Sequence, residues 1–346
     1  MEPKTFIILT PGFPKDEADT TCLPTQQLFV RTLSKLFPFL IIKVITLHYP
    51  DHASVYKWHG IDIYPLSGKS KKGIIRIALW YRCYQLIKKI CGTNTLGILS
   101  FWCNETALIG KFFASRNHVT HKIWITGQDA RASNKFVRWI KPHPDELVTM
   151  SDFLKAEFFK NHRINPSHVI TNGTDLAAPS VKKDIDIIGA GSLIPLKQYN
   201  IFIEIVAVLA KNNPTISAVL FGHGPEEDSL KQRISRLGLE KNIQLKGEAD
   251  HPTLMAWMNR SKVLLHPSSY EGYSTVCLEA LANGCHVVSF THAENDPIVH
   301  WHTVNEKEQM ISVTERILQT ESDYTPINIH PIEVTVKQMM TLFEKH

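Results

Sequence analysis

The chain is expected to fold as two α/β domains, each a doubly wound parallel sheet with helices on both faces. Three features carry that expectation. At 346 residues it is long enough for two domains of about 100–200 residues each. Short β-rich runs alternate with helical patterns from one end to the other. Several of the runs, FIILT at 6–10 among them, are solidly apolar rather than alternating, the mark of strands covered on both faces.

In order, strands are expected at 6–10, 40–47, 62–65, 96–101, 122–126, 146–150 and 169–171, with helices such as 26–36, 74–90, 105–116 and 152–162 between them. The segment 175–184, DLAAPSVKKD, has the composition of a linker. The pattern then restarts with a strand at 184–190, a long helix at 199–211, and strands at 217–221, 243–245, 263–266 and 286–290. This divides the chain into residues 1–175 and 176–330. Residues 331–346 form an amphipathic helix able to pack across either domain or back onto the first. Ligands in such folds bind at the carboxyl ends of the strands, so a cleft between two such sheets is the expected site.

Charge is distributed unevenly. The net is +5, but residues 1–175 hold 23 Lys+Arg against 13 Asp+Glu, whereas residues 176–346 hold 15 against 20. The first half is therefore the one expected to face something anionic. Residues 63–104 contain no acid and seven bases, Lys69, Lys71, Lys72, Arg76, Arg82, Lys88 and Lys89, interleaved with Trp80, Tyr81 and Tyr84. This composition suggests peripheral contact with an anionic membrane, against the plainer reading of 74–90 as a core helix with solvated bases. No nucleic-acid-binding module accompanies the bases, so nucleic acid is not an expected partner. The six cysteines form no C-x-x-C and no zinc-spaced cluster, which points to reduced thiols, a cytoplasmic location and no metal. The first strand begins so near Met1 that no signal peptide is expected. The longest apolar run, near 36–47, is interrupted by Pro38 and Lys43 and falls short of the ~20 residues that span a bilayer.

The sharpest candidate site is HPSSYEGYSTVCLEALANG, which follows the strand ending at His266. Residues 268–272 are turn chemistry, and Ser274 is a credible N-cap for a helix running to Ala282. A helix N-terminus after a glycine-containing loop offers backbone N–H groups to an anion. Glu271 stands just before that terminus. Glu279 lies five residues beyond Ser274, about 7.5 Å along a helix. A pyrophosphate held there by Gly272, Tyr273 and Ser274 would have one carboxylate towards a sugar and the other towards a ribose. Glu279 is also the only Lys, Arg, Asp or Glu between Gly272 and Ala293, so it is expected to be at least half buried and to need donors.

This segment resembles the E-x7-E signature of retaining glycosyltransferases of family 4, the glycosyl transferases group 1, with Glu271 and Glu279 separated by the required seven residues. The resemblance implies the GT-B fold: two Rossmann-like domains facing a central cleft. It implies that Glu271 is the catalytic-site residue beside the donor sugar and that Glu279 binds the nucleotide ribose. GAGSLIPLK is similar to the family's Gly, Arg, Leu, Lys pattern, with Gly191, Leu193 and Lys197 in place but Ser192 where Arg is usual. Lys197, Gly191 and Ser192 are accordingly donor-binding candidates. FGHGPEEDSL resembles the family's Gly-x-Gly strand end; Gly222 is its candidate, and Pro225 suits the first helical position. QLKG at 244–247 matches the strand end beside the base. TPGF resembles the N-terminal loop near the donor phosphates, through Gly12, while Asn172 and Gly173 read as structural. Relatives often carry His-Gly after the strand at 122–125. Here the sequence is WITGQDA, with Thr126 at the His position and Gln128 and Asp129 as acceptor-side candidates.

The expected reaction transfers a sugar from a UDP- or GDP-linked donor to a hydroxyl of a glycan or lipid-linked acceptor, with retention and with no cofactor. Two other readings stand beside it. One is a GT-B sugar-nucleotide epimerase; the other is a non-catalytic sugar-nucleotide-binding protein, motivated by Thr126 and Ser192.

Overall fold

The computed structural model describes residues 3–52, 54–69, 73–175, 181–291, 294 and 296–344. The chain divides into two compact units: Met1–Gly173 with Ile332–His346, and Thr174–Pro331. Residues 176–180 of the linker-like segment 175–184 lie outside the described residues.

The first unit begins with β1 (Lys4–Gly12), α1 (Pro24–Leu36), β2 (Leu40–Tyr49), β3 (Tyr56–Trp58) and β4 (Ile61–Pro65). It continues through α2 (Ile74–Ile90), β5 (Thr95–Phe101), α3 (Glu105–Asn117), β6 (His121–Ile125), α4 (Phe136–Ile140), β7 (Leu147–Thr149), α5 (Asp152–His162) and β8 (His168–Val169). The sheet order is β3-β4-β2-β1-β5-β6-β7-β8, parallel throughout except that β3 runs antiparallel to β4. The apolar run of β1 explains its central place, since Phe6 to Leu9 are all buried between helical layers. Helix starts follow local chemistry. Pro24 opens α1, Asn104 caps α3 by accepting from the Thr106 amide at 2.9 Å, and Ser151 caps α5 through the Leu154 amide at 3.1 Å.

The second unit contains β9 (Ile185–Ala190), α6 (Tyr199–Asn212), β10 (Ala218–Phe221), α7 (Glu227–Arg236), β11 (Ile243–Gly247) and α8 (His251–Arg260). After these come β12 (Ser261–His266), α9 (Thr275–Ala282), β13 (His286–Ser289), β14 (Trp301–Thr303) and α10 (Lys307–Gln319). All six strands are parallel, in the order β11-β10-β9-β12-β13-β14. Phe202, Val206 and Leu209 of α6 pack on Leu220, Val263 and Leu265 of the sheet.

The chain then returns to the first unit. α11 (Ile332–Thr341) packs on α1, Thr335 donates to the Thr171 carbonyl at 2.9 Å, and Phe343 meets Phe6 edge-to-face at 4.8 Å. Gly97 and Gly173 make room for this segment. A side chain at Gly97 would come within 2.3 Å of Phe343, and one at Gly173 within 2.3 Å of the Ile332 backbone.

Two doubly wound parallel sheets are what the solid apolar runs predicted. β3 and β14 were not anticipated, because three residues are too few to display a period. Pro225 is a correction: α7 begins at Glu227 with Glu226 as N-cap, so the proline precedes the helix. The Glu226 amide donates to the Leu193 carbonyl at 3.0 Å, which holds this stretch against the loop after β9 and delays the first turn.

Candidate functional site

In the second sheet β9 lies between β10 and β12, so the connections leave in opposite directions and open a crevice at the carboxyl ends of these strands. The loops after β9, β10 and β12 converge there, held by their backbones. The Gly191 amide donates to the Phe221 carbonyl at 3.1 Å, the Leu193 amide to the His223 carbonyl at 3.0 Å, and the Ser269 amide to the Leu196 carbonyl at 3.0 Å. Contacts this close need glycine. Gly222 has φ +142°, and a Cβ on it would lie 1.9 Å from the Gly191 carbonyl oxygen. His223 projects away, exposed and paired with Glu227.

Glu271 comes from the loop after β12 and Lys197 from the loop after β9. They meet at the crevice: Lys197 Nζ lies 2.5 Å from Glu271 Oε1, and His266 Nε2 lies 2.8 Å from the same oxygen. Glu271 is only 16% exposed. Burial pushes its carboxyl up, but the His266 hydrogen bond and the charge of Lys197 outweigh burial and hold it down at about 2. Burial keeps His266 below its ordinary value, so the neutral ring donates Nε2–H to the carboxylate. Beneath Gly191, the hydroxyl of the fully buried Tyr199 has no hydrogen-bond partner among the described residues. A Cβ on Gly191 would come within 2.8 Å of it.

Glu279 lies on α9, 13% exposed, with its Oε1 2.8 Å from His251 Nε2. Ser274 occupies the N-cap position of α9, but its hydroxyl does not close the first turn; it lies 3.3 Å from His266 Nε2 instead. Tyr273 is buried, and its hydroxyl donates to Glu294 at 2.6 Å beside His330 Nε2 at 3.0 Å. Gly272 links Glu271 to this tyrosine in the same loop, and Ser192 is exposed next to Gly191.

The remaining candidates lie on the first unit. Gly12 is buried at the carboxyl end of β1, where a Cβ would come 3.3 Å from the Tyr49 Cβ. Asp129 turns inward. Its carboxylate accepts from the amides of Cys103 at 2.9 Å, Gly127 at 2.8 Å and Thr126 at 3.2 Å, and closes the loop after β6. Burial pushes that carboxyl above its ordinary value despite the amides. Thr126 is half-buried and Gln128 exposed at the same strand end.

Thus Glu271, Lys197, Gly191, Ser192, Gly222 and Ser274 share one crevice, with Glu279 one helix further on, while Tyr273 is engaged by Glu294 and His330. The sequence reading missed His266, Tyr199 and His251. His266 did carry a signal: it is the polar end of an otherwise apolar strand, five residues before Glu271. Among the described residues no group of three or more His, Cys, Asp or Glu could hold a metal ion.

Residues 176–322 match the family model described as glycosyl transferases group 1. The phosphatidylinositol N-acetylglucosaminyltransferase gpi3 subunit of Schizosaccharomyces pombe is 21% identical over 263 residues, which are 71% of this chain and 58% of that protein. A Campylobacter jejuni protein, N-acetylgalactosamine-N,N'-diacetylbacillosaminyl-diphospho-undecaprenol 4-alpha-N-acetylgalactosaminyltransferase, is 25% identical over 225 residues, 59% of this chain and 60% of that one. These matches span less than two thirds of either relative. Among solved structures, sucrose-phosphate synthase from Thermosynechococcus elongatus matches over 98% of both chains with TM-score 0.77 at 14% identity. Anabaena HepE, solved with UDP and glucose, matches over 97% of this chain and 98% of its own with TM-score 0.68 at 18% identity. The shared architecture is GT-B.

Proposed function

We propose, from the match of residues 176–322 to the glycosyl transferases group 1 model and from the GT-B fold, a retaining transfer of a hexosyl-type sugar from a UDP- or GDP-sugar to a hydroxyl of a glycan or lipid-linked acceptor. The observation that carries it is the Glu271 carboxylate, held ionised by Lys197 and His266 at the strand ends where a nucleotide binds in doubly wound sheets.

A carboxyl held at about 2 is no general acid at neutral pH. It works as a fixed negative charge, stabilising positive charge that develops at the anomeric carbon as the leaving group departs. Lys197 is shared. An incoming diphosphate competes with Glu271 for its ammonium, and the loop amides around Gly191 meet the rest of the leaving-group charge. Glu279, already fixed by His251, accepts from a ribose diol. The proposed acceptor side is the end of β6, where Asp129 holds the loop and Thr126 and Gln128 present side chains.

A thermal-shift screen with UDP, GDP, ADP and their sugars tests the donor class. One nucleotide series should stabilise the protein by about 2.7 kcal/mol when present at ~100 times its Kd. An acceptor-free incubation with the stabilising sugar nucleotide should leave the sugar's configuration unchanged, and adding acceptors should release the diphosphate. No stabilisation by any member of the panel would sink the proposal. Epimerisation of the donor without acceptor would move the chain to a different reaction class.

A further inference from the structure

The first unit exposes a face that its own packing does not use. α2 buries Leu79, Cys83 and Ile87 against the sheet. The opposite side of its first turns is apolar yet in water: Ile74 is 84% exposed, Tyr81 is 64% exposed, and Ile75 and Ile77 are also exposed. Ile74, Ile77 and Tyr81 fall on one helical stripe. Phe112 of α3 is exposed beside them, and a groove between the two helices is lined by Ile77, Trp80, Tyr84, Leu108 and Phe112. Single exposed apolar residues are ordinary, whereas a contiguous ridge marks a docking surface.

Charge identifies the occupant. α2 and α3 together carry Arg76, Arg82, Lys88, Lys89, Lys111 and Arg116 against one acid, Glu105. Glu105 is buried, pairs with Arg76 and accepts from Trp80 Nε1 at 2.6 Å. Lys111 pairs with Glu146. Arg82, Lys88 and Lys89 are exposed and have no acidic partner among the described residues. Arg116, also exposed, lies 3.5 Å over the Phe112 ring. Arg82, Lys88 and Lys89 come from the acid-free stretch, and α3 adds Arg116. Lys69 pairs with Asp51 at 3.3 Å, and Lys71 and Lys72 lie outside the described residues. No helix among the described residues is long and apolar enough to cross a membrane. An apolar ridge beside unpaired bases matches the boundary between headgroups and acyl chains.

We propose that this face docks on an anionic lipid surface. Ile74, Ile77 and Tyr81 enter the headgroup–acyl boundary, while Arg82, Lys88, Lys89 and Arg116 meet the headgroups. The proposal deepens the lipid-linked acceptor reading and rests on it only for its purpose. Vesicle binding needs neither donor nor acceptor, so either can fail without the other.

Flotation of the full chain with vesicles of phosphatidylcholine alone, or of phosphatidylcholine mixed with phosphatidylglycerol, tests the surface at low and high salt. The protein should float only with the mixed vesicles, and less so at high salt. At about 1 kcal/mol per basic residue, Lys88→Gln with Lys89→Gln should lower the partition roughly 30-fold. Ile74→Ser with Ile77→Ser should abolish flotation while leaving the circular dichroism and melting temperature unchanged, because both side chains are already in water. No binding by the wild type, equal binding to neutral vesicles, or wild-type binding by both double variants would overturn the proposal. A wild-type dimer that Ile74→Ser with Ile77→Ser dissociates would also overturn it, and would assign the face to a second copy of the chain.

Discussion

Glu271 receives two donors on one oxygen, and that arrangement sets what each substitution should do. Glu271→Gln keeps the shape and removes the charge, so turnover should fall about 10²–10³-fold with nucleotide affinity little changed. Full activity in a folded Glu271→Gln protein would take this residue out of the chemistry. Lys197→Ala should lower turnover and also weaken the nucleoside diphosphate, since its ammonium is the one the diphosphate would compete for. His266→Asn tests positioning: if the ring only aims Glu271, kcat should drop while KM for the donor stays near its wild-type value. Equal changes in both would mean that the buried ring only supports the fold. Glu279→Ala should cost about 1.5–3 kcal/mol of nucleotide binding, the worth of hydrogen bonds to a charged group, and unaltered affinity would refute a ribose contact. Glu271, Lys197 and Glu279 were legible because carboxylates and a lysine stand out in apolar or turn-rich sequence. His266 and Tyr199 were not, although each is close in sequence to its partner, five residues from Glu271 and eight from Gly191: the irregular loops that fold them back have no period from which a contact can be read.

At the scale of elements, the loops after β9 and β10 touch through backbone, and the glycines there carry the fold as much as any ligand. Gly222→Ala would place a methyl group 1.9 Å from a carbonyl oxygen at φ +142°. Strain and overpacking should each cost roughly 1–3 kcal/mol. Gly238 also has positive φ, +66°, but nothing lies within 4 Å of its Cβ position. Gly238→Ala should therefore be the milder change by denaturant titration, and equal losses would show that close approach of the two loops is not what requires Gly222. Long elements with solid apolar runs, such as β1, β2 and β12, were readable from sequence because burial on both faces leaves a continuous signature. The start of α7 was not readable, because the bond from Glu226 to Leu193 competes with proline's preference for the first helical turn. Ser274 likewise sits where an N-cap belongs while its hydroxyl lies beside His266. In both cases a tertiary hydrogen bond overrides a local rule that was sound by itself.

Across the whole molecule, both units depend on histidines kept neutral by burial, and this sets an acid limit. In the first unit burial, helped by Lys111 and Lys122, pushes His121 down to about 3; its Nε2 lies 2.9 Å from the Ser100 hydroxyl and its Nδ1 is buried without a partner among the described residues. In the second unit burial and then His300 push His286 down to about 4, with His302 Nε2 3.2 Å from its Nδ1. His266 and His302 are lowered too, chiefly by burial. All four pKa values are depressed on folding, so the unfolded chain binds more protons below about 6.5. Their stabilisation is complete above that pH and is lost as pH falls towards the folded values of about 4 and 3. His121 should remove about 1 kcal/mol per pH unit between about pH 6 and pH 5, and His286, His266 and His302 act in the same direction. Asp129 has the opposite sign, its raised carboxyl favouring the fold on acidification, but it is one group and acts nearer its own ordinary range. The depressed Glu271 adds a further loss only below about 4.5. Melting temperature should therefore decline between about pH 7 and pH 5, before the carboxylates titrate. His121→Asn should flatten the decline of the first unit and His286→Asn that of the second, each at some cost in stability near neutral pH. Because the chain divides into two compact units, calorimetry should be followed for two transitions. A melting temperature constant from about pH 7 to pH 5 would show that these rings stay solvated enough to protonate in the native state, and the buried-histidine account would fall.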